Sequence, residues 1–183
     1  MKIQVIYSSL SGCTKKLAHG IYDGLGDVEK SIHDLAEGEP ALDGDILLLG
    51  YWVDKGGPNA QMKAFMDTLE GKTIGIFCTL AYWADAAHGI ASLTAGMDAV
   101  KEKNTVIGSY VCNGHISDKM IESFRNSPRD SHHSATPESE LRWKLMANHP
   151  TPAEIALGAE RFRERAALYR EFQENGLKFT SIL

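Results

Sequence analysis

Basic residues are scarce in the first two thirds of this 183-residue sequence. Residues 1–126 hold 11 Lys or Arg against 16 Asp or Glu, which accounts for the whole formal charge of −5. That part lacks the stripe of cations that phosphate backbones demand, which argues against nucleic acid as a partner. Long apolar runs are missing too. The longest, ILLLGYWV (Ile46 to Val53), falls well short of the ~18–20 residues of a membrane span and suits a buried strand with its following loop. Cysteine is sparse: Cys13, Cys78 and Cys112 are odd in number and widely spaced, so neither a disulfide framework nor a CxxC motif is present. Free thiols suit a reducing compartment, and the first residues lack the basic-then-apolar layout of a secretory signal, so a cytoplasmic protein without membrane contact is expected. What remains is a composition that can bury its own core as one domain over residues 1–183.

Apolar, β-branched runs alternate with helix-like segments, the pattern of an α/β fold: a parallel sheet covered by helices on both faces, in three doubly wound layers. Strands are expected at Ile3 to Tyr7, Glu29 to His33, Asp45 to Gly50, Thr73 to Thr79 and Thr105 to Val111. Helices are expected at Thr14 to Gly24, Asn59 to Leu69, Asp85 to Lys101 and Ser117 to Asn126. Gly38 and Pro40 lie in a crossover between the second and third strands that has room for a single helical turn. Residues 127–150 read as an irregular insert in which Thr136 and Pro137 could start a short helix carrying Leu141, Trp143 and Leu145. TPAE (Thr151 to Glu154) is a capping box opening a C-terminal helix over 151–175, with an apolar stripe at Ile155, Ala159, Phe162, Ala166 and Tyr169.

The stretch YSSLSGCTKKLA, residues 7–18, places hydroxyls around the turn from the first strand to the first helix. Such a turn aims backbone amides and the positive end of a helix dipole at one spot. A P-loop would supply GxxxxGK[ST] and a dinucleotide fold GxGxxG; neither is present. Instead Ser9, Ser11, Gly12 and Thr14 offer neutral donors and one tight-turn glycine, which suit a single terminal phosphate monoester. The plainer alternative is that Ser11 only caps the helix.

This segment resembles the flavodoxin phosphate fingerprint, [ST]-x-[ST]-G-x-T after the first strand, and the likeness runs over about residues 1–115. Within that family, GYWVDKGGPNAQMKAFMDTL and GIFCTLAYWAD most resemble the small flavodoxin-like proteins that accompany bilirubin reductase in gut bacteria. The resemblance implies FMN as cofactor and five strands in the order 2-1-3-4-5, for which flavodoxin is itself the standard example. It places Ser8, Ser9, Leu10, Ser11, Gly12, Cys13 and Thr14 on the phosphate loop. The two flavin-flanking loops then carry Trp52, Val53, Asp54, Lys55 and Gly56, and Thr79, Leu80, Ala81, Tyr82 and Trp83. Tyr51, Trp52, Tyr82 and Trp83 offer flat apolar faces to an isoalloxazine ring; ordinary core is the alternative for about half of them, and Trp52 and Tyr82 are favoured as contacts. Gly56 and Gly57 could let a peptide turn over beside the ring.

Other signals are weaker. His132, His133 and His149 lack the spacing of metal ligands, so a metal is not expected. Cys112-Asn113-Gly114-His115 either reaches the flavin edge or is a plain turn. The expectation is an FMN-binding electron carrier that works with a partner reductase drawn to acidic groups such as Asp54 and Asp85. An NAD(P)H-dependent quinone or azo reductase on the same fold and a non-redox scaffold are the alternatives.

Overall fold

The computed structural model describes residues 1–128 and 134–182. β1 (Lys2–Tyr7), β3 (Ile46–Asp54) and β5 (Thr73–Leu80) are near-continuous apolar runs because helices cover both of their faces. β2 (Glu29–Asp34) and β6 (Thr105–Asn113) flank them in the parallel order β2-β1-β3-β5-β6. This is the expected 2-1-3-4-5 arrangement with one addition: β4 (Gly57–Pro58) folds back antiparallel on the end of β3.

Strict alternation along β3 divides the core. Ile46 and Leu48 face a cluster with Leu17, Ile21, Phe77 and Phe162, while Leu47, Leu49 and Tyr51 face one with Met62, Phe65 and Ile76. The first layer is built by α1 (Cys13–Gly24) and α6 (Pro152–Glu174), the second by α2 (Ala60–Asp67) and α3 (Ala87–Asp98). Gly20 and Gly24, one turn apart on α1, let α6 approach closely: a Cβ there would lie 2.0 Å from Ile155 and 2.5 Å from Ala159. The apolar stripe of α6 thus covers the sheet, and Phe162 is fully buried. The short crossover after β2 holds one 3₁₀ turn at Leu35–Glu37.

Three expectations need correction. β3 runs to Asp54, so Tyr51 to Asp54 are strand and not loop, because Trp52 still pairs with Thr79 and β4 closes a hairpin on Asp54. The hairpin's central residues are Lys55 (φ 50°) and Gly56 (φ 81°), the left-handed pair of a type I′ turn, whereas Gly57 has no positive φ. The insert is less irregular than expected, since Pro137–Met146 forms the helix α5, capped by Thr136 and preceded by α4 (Asp118–Arg125). Paired hydrogen bonds of 2.6 and 2.5 Å from Arg125 to Glu140 tie α4 to α5. His132 and His133 lie outside the described residues.

Candidate cofactor site

At the C-terminal edge of the strands, Gly12 turns the chain into α1 with a φ of 91°, a conformation that side chains resist. The α1 amides of Lys15 and Lys16 have acceptors, Ser9 Oγ at 3.2 Å and Gly12 O at 2.9 Å. Those of Cys13 and Thr14 belong to the first turn, where no intrahelical acceptor exists, and they carry the positive end of the dipole.

The hydroxyls of this loop have different tasks. Ser8 is buried, donates to Gln61 Oε1 at 2.9 Å and accepts from Asn59 Nδ2 at 3.0 Å, so it ties β1 to the start of α2. Ser9 caps α1 from outside the helix. Thr14 is buried and shares a 2.8 Å hydrogen bond with Thr79 of β5. Ser11 lies at the cleft itself, with Cys13 Sγ and His115 O as alternative acceptors, each at 3.3 Å. Lys16 reaches away to Pro150 O at 2.6 Å.

Behind the loop a polar chain links three elements. The His115 amide donates to Cys13 Sγ at 3.2 Å, and His115 Nδ1 lies 2.7 Å from His149 O. A carbonyl only accepts, so Nδ1 carries the proton there. By the same reasoning His149 Nδ1 donates to the Glu154 carboxylate at 2.7 Å. Burial would raise the Glu154 carboxyl, but the hydrogen bonds from Thr151 and His149 outweigh it and hold it below its ordinary value. The segment after β6 is thereby fastened to α1 and to the first turn of α6, and of Cys112 to His115 it brings Gly114 and His115 to the lining of the cleft. Burial pushes the thiols of Cys78 and Cys112 up to about 12, leaving them neutral and unreactive.

The cleft, about 110 Å³, is walled by Leu10, Ser11 and Cys13 on one side and by Trp52, Val53, Thr79, Leu80 and Ala81 on the other. A cavity of about 360 Å³ adjoins it, sharing Val53, Leu80, Ala81 and Ile116 and reaching Tyr82, His88, Arg142 and Trp143. Tyr82 and Trp83 are 38% and 40% exposed and meet edge to face at 5.5 Å. Tyr51 is core, its hydroxyl donating to Ser92 O at 2.7 Å. Asp54, Lys55 and Gly56 form the hairpin tip and line neither space. A larger hollow of about 570 Å³ opens at the opposite end of the strands, beside Thr73 and Tyr169, far from the loop. Sequence reasoning missed Ile116, Ser117, Met120, Arg142 and Trp143 as lining residues; only their position after the last strand could have pointed to them. The arrangement can receive an anion at the amides of α1 and a flat conjugated group beside Tyr82. Among the described residues no cluster of three or more His, Cys, Asp or Glu is placed to hold a metal ion.

Comparison with known proteins shows the family and the fold. A match to the Flavodoxin domain family spans residues 4–163. The Flavodoxin-like domain-containing protein BilS of Clostridioides difficile (strain CD3) is 34% identical over 140 residues, covering 72% of this chain and 79% of that protein. The flavodoxin, WrbA-like protein of Agrobacterium tumefaciens shares the fold at 18% identity and a TM-score of 0.51, over 91% of this chain and 98% of that one. So does the Fusobacterium nucleatum flavodoxin bound to flavin mononucleotide, at 13% identity and a TM-score of 0.51, over 89% and 97%. With a 2-1-3-4-5 sheet, hydroxyls around the first strand-to-helix turn and a family match over most of its length, the chain belongs to the Flavodoxin domain family.

Proposed function

We propose that this protein binds FMN at the cleft and carries electrons in concert with a partner reductase. The observation that supports the reading best is the turn at Gly12, where the two first-turn amides of α1 follow the Ser11 hydroxyl in the chain and Lys16 is tied to Pro150 O instead, a candidate site for one phosphate monoester. The fit extends to the rest of the molecule. Leu80 and Ala81 line both the cleft beside that turn, where Trp52 lies, and the adjoining cavity that reaches Tyr82. When bound, the flavin supplies one- and two-electron redox chemistry; the chain's own residues hold the phosphate, exclude water and orient the ring. The flavin mononucleotide carried by the F. nucleatum flavodoxin makes it the first ligand to test.

The purified protein is expected to be yellow and to release FMN rather than FAD on denaturation. A colourless protein that ignores added FMN would end this reading. In the same assay, steady NAD(P)H oxidation with a quinone and no second protein would favour the stand-alone reductase instead.

The partner is proposed on charge. The acidic surplus lies in residues 1–126, and Asp54 at the hairpin and exposed Asp85 after Trp83 place part of it around the site. A reductase with a basic face would be steered to it, over a Debye length of ~8–10 Å at ordinary salt. Electron transfer to a candidate reductase should therefore slow as salt rises, and Asp54→Asn with Asp85→Asn should flatten that dependence. A second-order rate indifferent to salt and to both changes removes the docking idea and leaves FMN binding standing. No described helix is long and apolar enough to cross a membrane, and the three thiols stay unpaired. We place the protein in a reducing cytoplasm.

A further inference from the structure

The cleft beside the phosphate loop, at about 110 Å³, is too small to take a flavin whole, since ligand pockets run to ~300–1,000 Å³. The remaining space is the adjoining cavity of about 360 Å³. Its outer wall comes from α5, beyond the last strand of the sheet. There Trp143 is 8% exposed and packs on Phe124 with ring centres 5.9 Å apart, so its indole is a fixed plate.

Arg142 is the unusual group in that wall. Its side chain is 17% exposed, and its guanidinium lies 5.0 Å from the centre of the Tyr82 ring. One terminal nitrogen pairs with Glu138, which is itself 74% exposed and so balances the charge from the solvent side. Nε is buried and has no hydrogen-bond partner among the described residues. A buried donor of a cation left without an acceptor is costly, and a group entering the cavity can complete it. The cation–π contact with Tyr82 favours a guanidinium held over the ring.

We propose that α5 closes the flavin site and that Arg142 is its cation, donating through Nε to the ring and favouring the reduced form. The inference rests on the FMN reading above. Uptake of two electrons and one proton leaves the ring with one negative charge; the electrons come from the partner reductase and the proton from solvent water, while Arg142 acts only as a hydrogen-bond donor. A charge-assisted donor in a water-poor cavity therefore binds the reduced ring more tightly than the oxidised one. Glu138 opposes this by neutralising part of the guanidinium.

The experiment compares the parent protein, Arg142→Met and Glu138→Gln, each titrated anaerobically with oxidised and with chemically reduced FMN. Arg142→Met should weaken reduced FMN about tenfold more than oxidised FMN, equivalent to a fall of ~30 mV for a two-electron couple. Glu138→Gln should move the potential upward, and its exposed position makes loss of the fold a poor explanation. FMN should also quench the emission that a Trp143→Phe variant lacks. Equal losses for both redox states in Arg142→Met, or both variants moving the potential the same way, would make Arg142 structural. Should Arg142→Met fail to fold, absence of an upward shift in Glu138→Gln overturns the proposal by itself. Unquenched Trp143 in a protein that binds FMN places the ring elsewhere and overturns it too. A parent that does not bind FMN sinks the FMN reading first and this inference with it.

Discussion

Replacing Ser11 and Thr14 together by alanine should raise the dissociation constant for FMN by about 10²–10⁴, from two charge-assisted hydrogen bonds of ~1.5–3 kcal/mol each. Riboflavin, which lacks the phosphate, should lose only a fewfold. The two hydroxyls act from different places. Ser11 stands at the mouth of the cleft with two alternative acceptors at 3.3 Å, so its proton can be redirected to an incoming anion at little cost. Thr14 is buried against Thr79 at 2.8 Å, and a pair of hydroxyls needs only one of its two protons for the bond between them. The other remains available to a phosphate. Thr79→Val therefore serves as the control: it removes the buried bond while leaving Thr14 its proton, and FMN binding should change far less than in the double variant. Isothermal titration with both ligands reads all of this. Equal losses for FMN and riboflavin would assign the loop to folding alone.

Phe162→Ala should cost about 3–5 kcal/mol of stability, lowering the midpoint of urea unfolding with little change in slope. Phe162 is the anchor of α6: it has no exposed area, meets Phe77 edge to face at 6.0 Å and fills the notch left by Gly75, where a Cβ would stand 2.8 Å from its ring. The neighbours sit on rigid strands and cannot collapse into the gap, which puts the cost at the high end of core truncations. The first turn of the same helix carries Glu154, which holds His149 and, through it, His115 at the cleft. FMN affinity should fall as well, but by less than in the Ser11 and Thr14 variant, because α1 and its amides keep their own packing on the sheet. A loss below about 1 kcal/mol would mean that α6 is a loosely attached tail rather than a layer of the core.

How much could be read beforehand differs from residue to residue. The anion-binding turn was legible because every ingredient is local: a strand-forming run, Gly12 where left-handed backbone is needed, and hydroxyls within six residues of one another. The cap of α5 at Thr136 and Pro137 was legible for the same reason. Tyr51 could have been placed by extending the alternation of Ile46 to Leu49 two residues further, which puts it on the face of Leu47 and Leu49, but an assumed loop hid the continuing strand. That strand continues because of partners elsewhere in the chain, Thr79 beside Trp52 and Gly57 beside Asp54.

By itself, then, the sequence determined the alternation of strands and helices, the layers they form and the hydroxyl-lined turn, since these follow from local propensity and from hydrophobic periods of two and 3.6 residues. Only the tertiary structure decided that Ser8 serves the core, that Thr14 locks onto Thr79, and that Arg142 lies over Tyr82, a residue sixty positions earlier. No period along the chain encodes which distant surface a short helix such as α5 settles on. That choice is made by shape, by the Arg125–Glu140 pair and by the aromatic contact of Trp143 with Phe124, all of which exist only once the sheet has brought the ends of its strands together.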